Sequence, residues 1–235
     1  MSQHLPNIFT VKHFQFPYLY KFAGQATDER ILYITREHPL ILAFRQIFII
    51  IAALFLFFIG YVITMLLGSF ISPSTSSLIQ ISATLVAIVF IIVGFWWTSV
   101  LWRKGIAVVT TKRLTKFVYI TPWNHYNFSL PLDMVVDTGA YDKGWLRAII
   151  DLGTITARSS AVSSGVSTDD PSRVNKKYFF IDNIAHAEDL HHYLHKLLFA
   201  FRQDWTKLEN YRPFIPNLKG EKRKEFMQQY PEYWS

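Results

Sequence analysis

QIFIIIAALFLFFIGYVITMLLGSFISPSTSSLIQISATLVAIVFIIVGFWWTSVLW, residues 46–102, runs for 57 positions without Asp, Glu, Lys, Arg or His and is bracketed by Arg45 and Arg103. An exposed surface in water needs charges along such a length, so the stretch belongs where charge is expensive, in a lipid bilayer. It divides into two spans, residues 47–71 and 78–102. Each is roughly 37 Å long at 1.5 Å per residue, enough to cross a hydrocarbon core of about 30 Å with some tilt. The six residues Ser72-Pro73-Ser74-Thr75-Ser76-Ser77 between them read as a turn, which makes the pair an antiparallel hairpin. Helix is favoured over strand because only a helix satisfies its own backbone inside lipid.

The flanks orient this hairpin. Lys12, Lys21, Arg30, Arg36 and Arg45 precede it, Arg103, Lys104, Lys112, Arg113 and Lys116 follow it, and the linker has no charge. The positive-inside rule places both termini in the cytoplasm, as in a multi-pass protein of the inner (cytoplasmic) membrane. Trp96, Trp97 and Trp102 cluster where the second span leaves the membrane, as an interfacial aromatic belt would; core packing is the competing reading. Residues 1–40 hold no signal-peptide core, so the first span is expected to act as the targeting signal.

The 235 residues are 51% hydrophobic and carry a net charge of +7, which suits a chain partly in lipid and partly beside an anionic leaflet. Nucleic acid is the other partner of basic proteins, but neither an Arg-rich recognition helix nor zinc-finger spacing is present. With no cysteine there is no disulfide framework and no thiolate chemistry.

Outside the spans, four regions are expected: an N-terminal arm (1–45), the hairpin (46–102), a folded domain (103–202) and a tail (203–235). In the arm, His13–Tyr20 is aromatic without a clear period, and Asp28–Arg36 reads as a short strand or a helix start. Pro39 marks where the first span begins to wind. From Arg103 the pattern becomes short alternating runs between turn residues, the signature of antiparallel sheet. Strands are expected at 106–110, 114–120, 126–130, 134–141, 153–158 and 177–181, with turns at Thr111-Lys112-Arg113 and Thr121-Pro122-Trp123-Asn124. The period then lengthens: Leu190, Tyr193, Leu194, Leu197, Leu198 and Phe201 recur at threes and fours, giving one amphipathic helix over 185–201 with Asn183 placed to cap it. Gly144 and Gly153 would bend the chain around a packed apolar turn, and Ser159–Asn175 reads as a long hairpin loop, either disordered or partner-binding.

Strands followed by one closing helix follow the order of a pleckstrin-homology-like (PH-like) domain. Residues 25–200 further resemble the bacterial membrane-anchored PH-domain family. The resemblance rests on Thr27-Asp28-Glu29-Arg30-Ile31-Leu32 with Arg36 and His38 before the hairpin, and on the hairpin itself. After it come Val109-Thr110-Thr111-Lys112-Arg113-Leu114, then Leu130-Pro131-Leu132-Asp133-Met134-Val135-Val136-Asp137, then Gly144-Trp145-Leu146 and Asp151-Leu152-Gly153-Thr154-Ile155-Thr156. The fold this implies is an α+β membrane protein, a transmembrane hairpin followed by a PH-like antiparallel domain closed by one C-terminal helix. The resemblance implies no defined enzymatic activity, and no cofactor is expected. The implied function is a non-catalytic module that binds anionic lipid headgroups or a protein partner, or associates with itself, at the inner face of the membrane.

Candidate headgroup-facing residues are Arg103, Lys104, Lys112, Arg113 and Lys116. Each cation close to an anionic leaflet contributes about 1 kcal/mol of attraction; a solvated turn is the plainer reading of Thr111-Lys112-Arg113. His191 and His195 share a helix face at a spacing that can hold a metal. The metalloprotease Glu is missing between them, where His192-Tyr193-Leu194 stands, and an exposed face explains the histidines more simply. No phosphate-cradling Gly-rich loop, paired carboxylates or intramembrane charge stands out, which disfavours an enzyme or a transporter. In the tail, Lys219–Lys224 is basic and Phe226, Tyr230, Tyr233 and Trp234 are aromatic, which fits a membrane surface, a partner, or a poorly ordered end.

Overall fold

The computed structural model describes residues 20–67, 70, 72–141, 152–160, 178–204, 206, 208, 211–218 and 220–229. His13–Leu19, the apolar turn from Gly144 to Ile150, Ala161–Asn175 of the serine-rich loop, and Tyr230–Ser235 lie outside the described residues.

The protein is α+β, with two long apolar helices and two antiparallel sheets. In chain order the elements are β1 (Ile31–Thr35), α1 (Pro39–Leu67), α2 (Pro73–Lys104), β2 (Ile106–Thr110), β3 (Arg113–Tyr119), β4 (His125–Pro131), a 3-10 turn (Leu132–Met134), β5 (Val135–Tyr141), β6 (Leu152–Ser159), β7 (Tyr178–Ala185), α3 (Ala187–Gln203) and α4 (Gly220–Gln229). The described residues fall into two compact units, one drawn from 36–106 and 117–126, the other from 20–35, 107–116 and 127–229.

In the helical unit, α1 has 29 residues and α2 has 32, or roughly 43 and 48 Å. Both are long and apolar enough to cross a membrane. Only Ala53, Gly60 and Thr64 of α1 and Ala87 of α2 are buried, so large apolar side chains cover the outside of the pair. Small residues set the approach: a Cβ on Gly60 would come within 2.4 Å of the Ala83 Cβ. Gln80 Nε2 also donates to Thr64 Oγ1 at 3.2 Å. The linker expected as a turn is instead mostly helical. Ser72 is the N-cap of α2, its Oγ accepting from the Thr75 N–H at 3.3 Å, and Pro73 takes the first helical position, where its missing N–H is no loss. α1 likewise starts at Pro39, ahead of the uncharged run.

The sheet unit begins before the helices. Asp28–Arg36, open between strand and helix in the sequence, supplies β1, which pairs antiparallel with β2 from Ile31↔Thr110 to Thr35↔Ala107. The two long helices are therefore an insertion between neighbouring strands. One sheet has the order β1-β2-β3-β4 and the other β5-β6-β7. Their inward side chains and α3 form one core, in which Leu32, Val109, Ile155, Ile184, Leu190, Leu194 and Leu197 have no exposed surface. Each such side chain stabilises by about 2 kcal/mol relative to exposure. The three- and four-residue spacing puts Leu190, Leu194 and Leu197 on the side of α3 that packs against β5 and β6.

Asn183 does not cap α3. It lies in β7 with φ 56°, where two residues, Asp182 and Asn183, stand opposite Thr154 in a bulge between the pairs Gly153↔Ile184 and Ile155↔Ile181. The N-cap of α3 is His186, also left-handed and without a side-chain cap bond, while Glu188 and Asp189 meet the positive end of the helix. Part of the C-terminal tail is built into this unit. The Phe214 N–H donates to the Leu32 carbonyl of β1 at 3.1 Å, and its ring stands edge-on to Tyr33 at 4.7 Å and Tyr193 at 5.4 Å.

Candidate functional site

The basic β2–β3 turn is tied to a pair of acidic residues. Glu29, with 1% of its side chain exposed, takes a two-pronged ion pair from Arg113: Nε donates to Oε1 and Nη2 to Oε2, both at 2.9 Å. Thr110 Oγ1 donates to Oε1 at 2.8 Å, and the Ala26 N–H to Oε2 at 3.0 Å. Burial pushes the Glu29 carboxyl upward, but the bonds from Arg113, Ala26 and Thr110 and the Arg113 charge together outweigh it and hold the group below its ordinary value. Arg113 also donates to the Gly24 carbonyl and lies 5.5 Å over the Phe22 ring. Lys112 pairs with Asp28, and Arg30 and Thr111 exchange backbone-linked bonds at 3.0 and 3.1 Å.

Lys116, three residues further along β3 from Arg113, pairs with Asp182 in the β7 bulge at 2.9 Å. Three of the five candidate headgroup-facing cations thus hold parts of their own unit together. Sequence reasoning placed Asp28 and Glu29 only in the motif before the hairpin, not against the basic turn, and did not bring in Asp182. The signal available for the first two was the acidic pair Asp28-Glu29 set against the basic pair Lys112-Arg113.

The other two candidates lie in the helical unit, at the end of α2. Arg103 is exposed and has no ion-pair partner among the described residues. Lys104 Nζ donates to the Pro122 carbonyl at 2.9 Å and lies 5.2 Å from the centre of the Tyr119 ring, which stacks on His125 at 5.0 Å. Nearby, Trp102 Nε1 donates to the Glu37 carbonyl at 2.9 Å beneath the Arg36 guanidinium, 5.2 Å above its ring. Glu37 also pairs with Arg45 at 2.7 Å. Burial lowers the Arg36 pKa, and the Arg103 charge lowers it further.

Trp96 and Trp97 are joined by a residue the sequence did not single out. Trp123, on the β3–β4 turn, stands 6.3 Å from Trp96 and 5.7 Å from Trp97, and the two helix tryptophans are 6.5 Å apart. Nothing in the linear pattern links positions 97 and 123; the outer ends of β3 and β4 and the turn between them belong to the same unit as α2.

On α3, His191 Nε2 is hydrogen-bonded to the Thr138 carbonyl at 2.8 Å, and His192 lies 4.0 Å from Glu188. Among the described residues no three His, Asp or Glu side chains gather in a way that could hold a metal ion. Comparison of the chain with family models, curated proteins and solved structures gives no match.

Proposed function

We propose that this chain is a membrane-anchored, non-catalytic PH-like module of the cytoplasmic membrane. Its helix pair spans the bilayer, both termini face the cytoplasm, and the sheet unit is presented at the inner leaflet. The observation that carries this reading is the insertion of two roughly 43 and 48 Å apolar helices, exposed on nearly every face, between β1 and β2 of a seven-stranded unit with a following helix. A helix pair that buries four residues leaves a surface that water does not tolerate and lipid does. The order of four strands, three strands and a helix supports the PH-like comparison, and the basic flanks support the orientation.

The headgroup contact in this reading falls to Arg103 and Lys104 at the end of α2. Lys112, Arg113 and Lys116 are engaged with Asp28, Glu29 and Asp182, which favours a second role for the sheet unit, that of binding a protein partner rather than sensing lipid charge. Two measurements on the full chain test the reading. The protein is expected to stay with membranes through alkaline carbonate washing, and a reporter fused after Ser235 is expected on the cytoplasmic side. Release by alkali, or an external reporter, would overturn the anchor or its orientation respectively.

A further inference from the structure

We propose that the β3–β4 turn, Thr121–Asn124, is a third membrane contact, seated through Trp123 in the boundary between lipid headgroups and acyl chains beside the end of α2. This deepens the proposed function and rests on its reading that α1 and α2 span the bilayer.

Three observations converge on the turn. Its tip is apolar and uncovered: Trp123 is 75% exposed and Ile120 44%. Trp123 is also continuous with a surface that already suits lipid, because it packs on Trp97 at 5.7 Å and Trp96 at 6.3 Å, and Trp96 is itself 51% exposed on α2. Indole, with an apolar body and a polar N–H, concentrates at this depth of a bilayer.

The backbone of the turn is also closed against water loss. The N–H groups of Ile120 and Thr121 both donate to the Asn124 carbonyl, at 3.1 and 3.3 Å. Those of Trp123 and Asn124 donate to Thr121 Oγ1, at 3.4 and 2.9 Å, and Pro122 has none to satisfy. The Pro122 carbonyl is taken by Lys104 at 2.9 Å. These bonds leave the turn with its N–H groups satisfied, so that seating it in a less polar boundary strips no backbone donor of its partner. Lys104, whose ammonium reaches the Pro122 carbonyl, sets beside this tip a cation of the kind that suits lipid phosphates, so the apolar and basic parts match the two layers of a membrane interface.

The chain has no cysteine, so a single introduced thiol reports one position. Asn124→Cys keeps Trp123 and, after nitroxide labelling of the full protein in vesicles of phosphatidylcholine with a minority of phosphatidylglycerol, measures relative collision with oxygen, which partitions into lipid, and a water-soluble nickel chelate. Leu85→Cys on α2 and Asp133→Cys on the exposed 3-10 turn serve as lipid and water references. The oxygen-to-nickel ratio at position 124 is expected several-fold above that at 133 and below that at 85, which lies nearer the middle of the span. Adding Trp123→Ser should return position 124 to the water value while leaving 85 unchanged.

A water-like ratio at 124 with a lipid-like ratio at 85 overturns this inference and leaves the spanning reading intact. A water-like ratio at 85 overturns the spanning reading, and this inference with it. Protection of 124 from both reagents means that protein, a second copy of the chain, covers the turn, and that also overturns it. Indifference of the 124 ratio to Trp123→Ser removes Trp123 as the anchor.

Discussion

Glu29 is held by four hydrogen bonds, and its single negative charge answers a guanidinium that keeps 28% of its side chain in contact with water. Removing one partner of a fully buried ion pair costs about 3–5 kcal/mol, and partial solvation of Arg113 brings the expected loss for Glu29→Gln to about 2–3 kcal/mol. Denaturation in detergent at neutral pH reads it directly. The Glu29 pKa is depressed in the fold, so its contribution is complete above the ordinary value of 4.5 and falls away as pH drops through the lower folded value. The wild type and Glu29→Gln should therefore converge in stability on acidification; a constant gap down to strongly acid pH would contradict the ion pair. Asn183 offers a backbone test of the same grain. Its φ of 56° strains any residue with a Cβ, and its buried Oδ1 has no hydrogen-bond partner among the described residues. Asn183→Gly should be more stable than Asn183→Ala by about 1 kcal/mol, and equal stabilities would show that the bulge relaxes freely.

Among elements, the helix pair depends on contact between small residues. A methyl at position 60 has no room, since its nearest neighbour is the rigid Ala83 Cβ at 2.4 Å. In an isolated helix Gly→Ala stabilises by about 1 kcal/mol; here the clash opposes that gain, and overpacking of this kind costs about 1–3 kcal/mol. Gly60→Ala is expected to lower the thermal midpoint in detergent, and Ala83→Gly in the same chain to restore it. Failure of the second substitution to rescue the first would move the contact elsewhere. The tail gives the matching test in the sheet unit. Phe214 is 2% exposed against Tyr33 and Tyr193, so Phe214→Ala should cost about 3–4 kcal/mol, measured by loss of near-ultraviolet circular dichroism in denaturant. A cost below about 1 kcal/mol would mean that this segment is only loosely attached.

For the whole molecule, the sequence was most legible where one local rule governs. The absence of charge from 46 to 102 gave both long helices, alternation gave six strands of the sheet unit within a residue or so at most boundaries, and the three-four period gave α3. Burial on one face imposes these patterns locally, so they can be read without knowing what packs on what. The errors arose where a local signal had two outcomes. Ser72-Pro73 is turn chemistry and also helix-start chemistry, and the length of α2 decided between them. Asn183 suits a helix cap and also a left-handed bulge, and pairing with β6 decided that.

What the sequence determined by itself is the chemistry of each element: which stretches shun water, which alternate, and where basic residues gather. Only the tertiary structure decided which of those residues meet. It set Arg113 on Glu29, Lys116 on Asp182, Phe214 on Tyr33 and Trp123 on Trp97, each across a gap in sequence that no periodicity spans. It also decided that β1 pairs with β2 across the two helices inserted between them. The physical reason is that burial pattern records only that a face is covered, whereas the identity of the covering group depends on strand order and register, which are properties of the assembled chain.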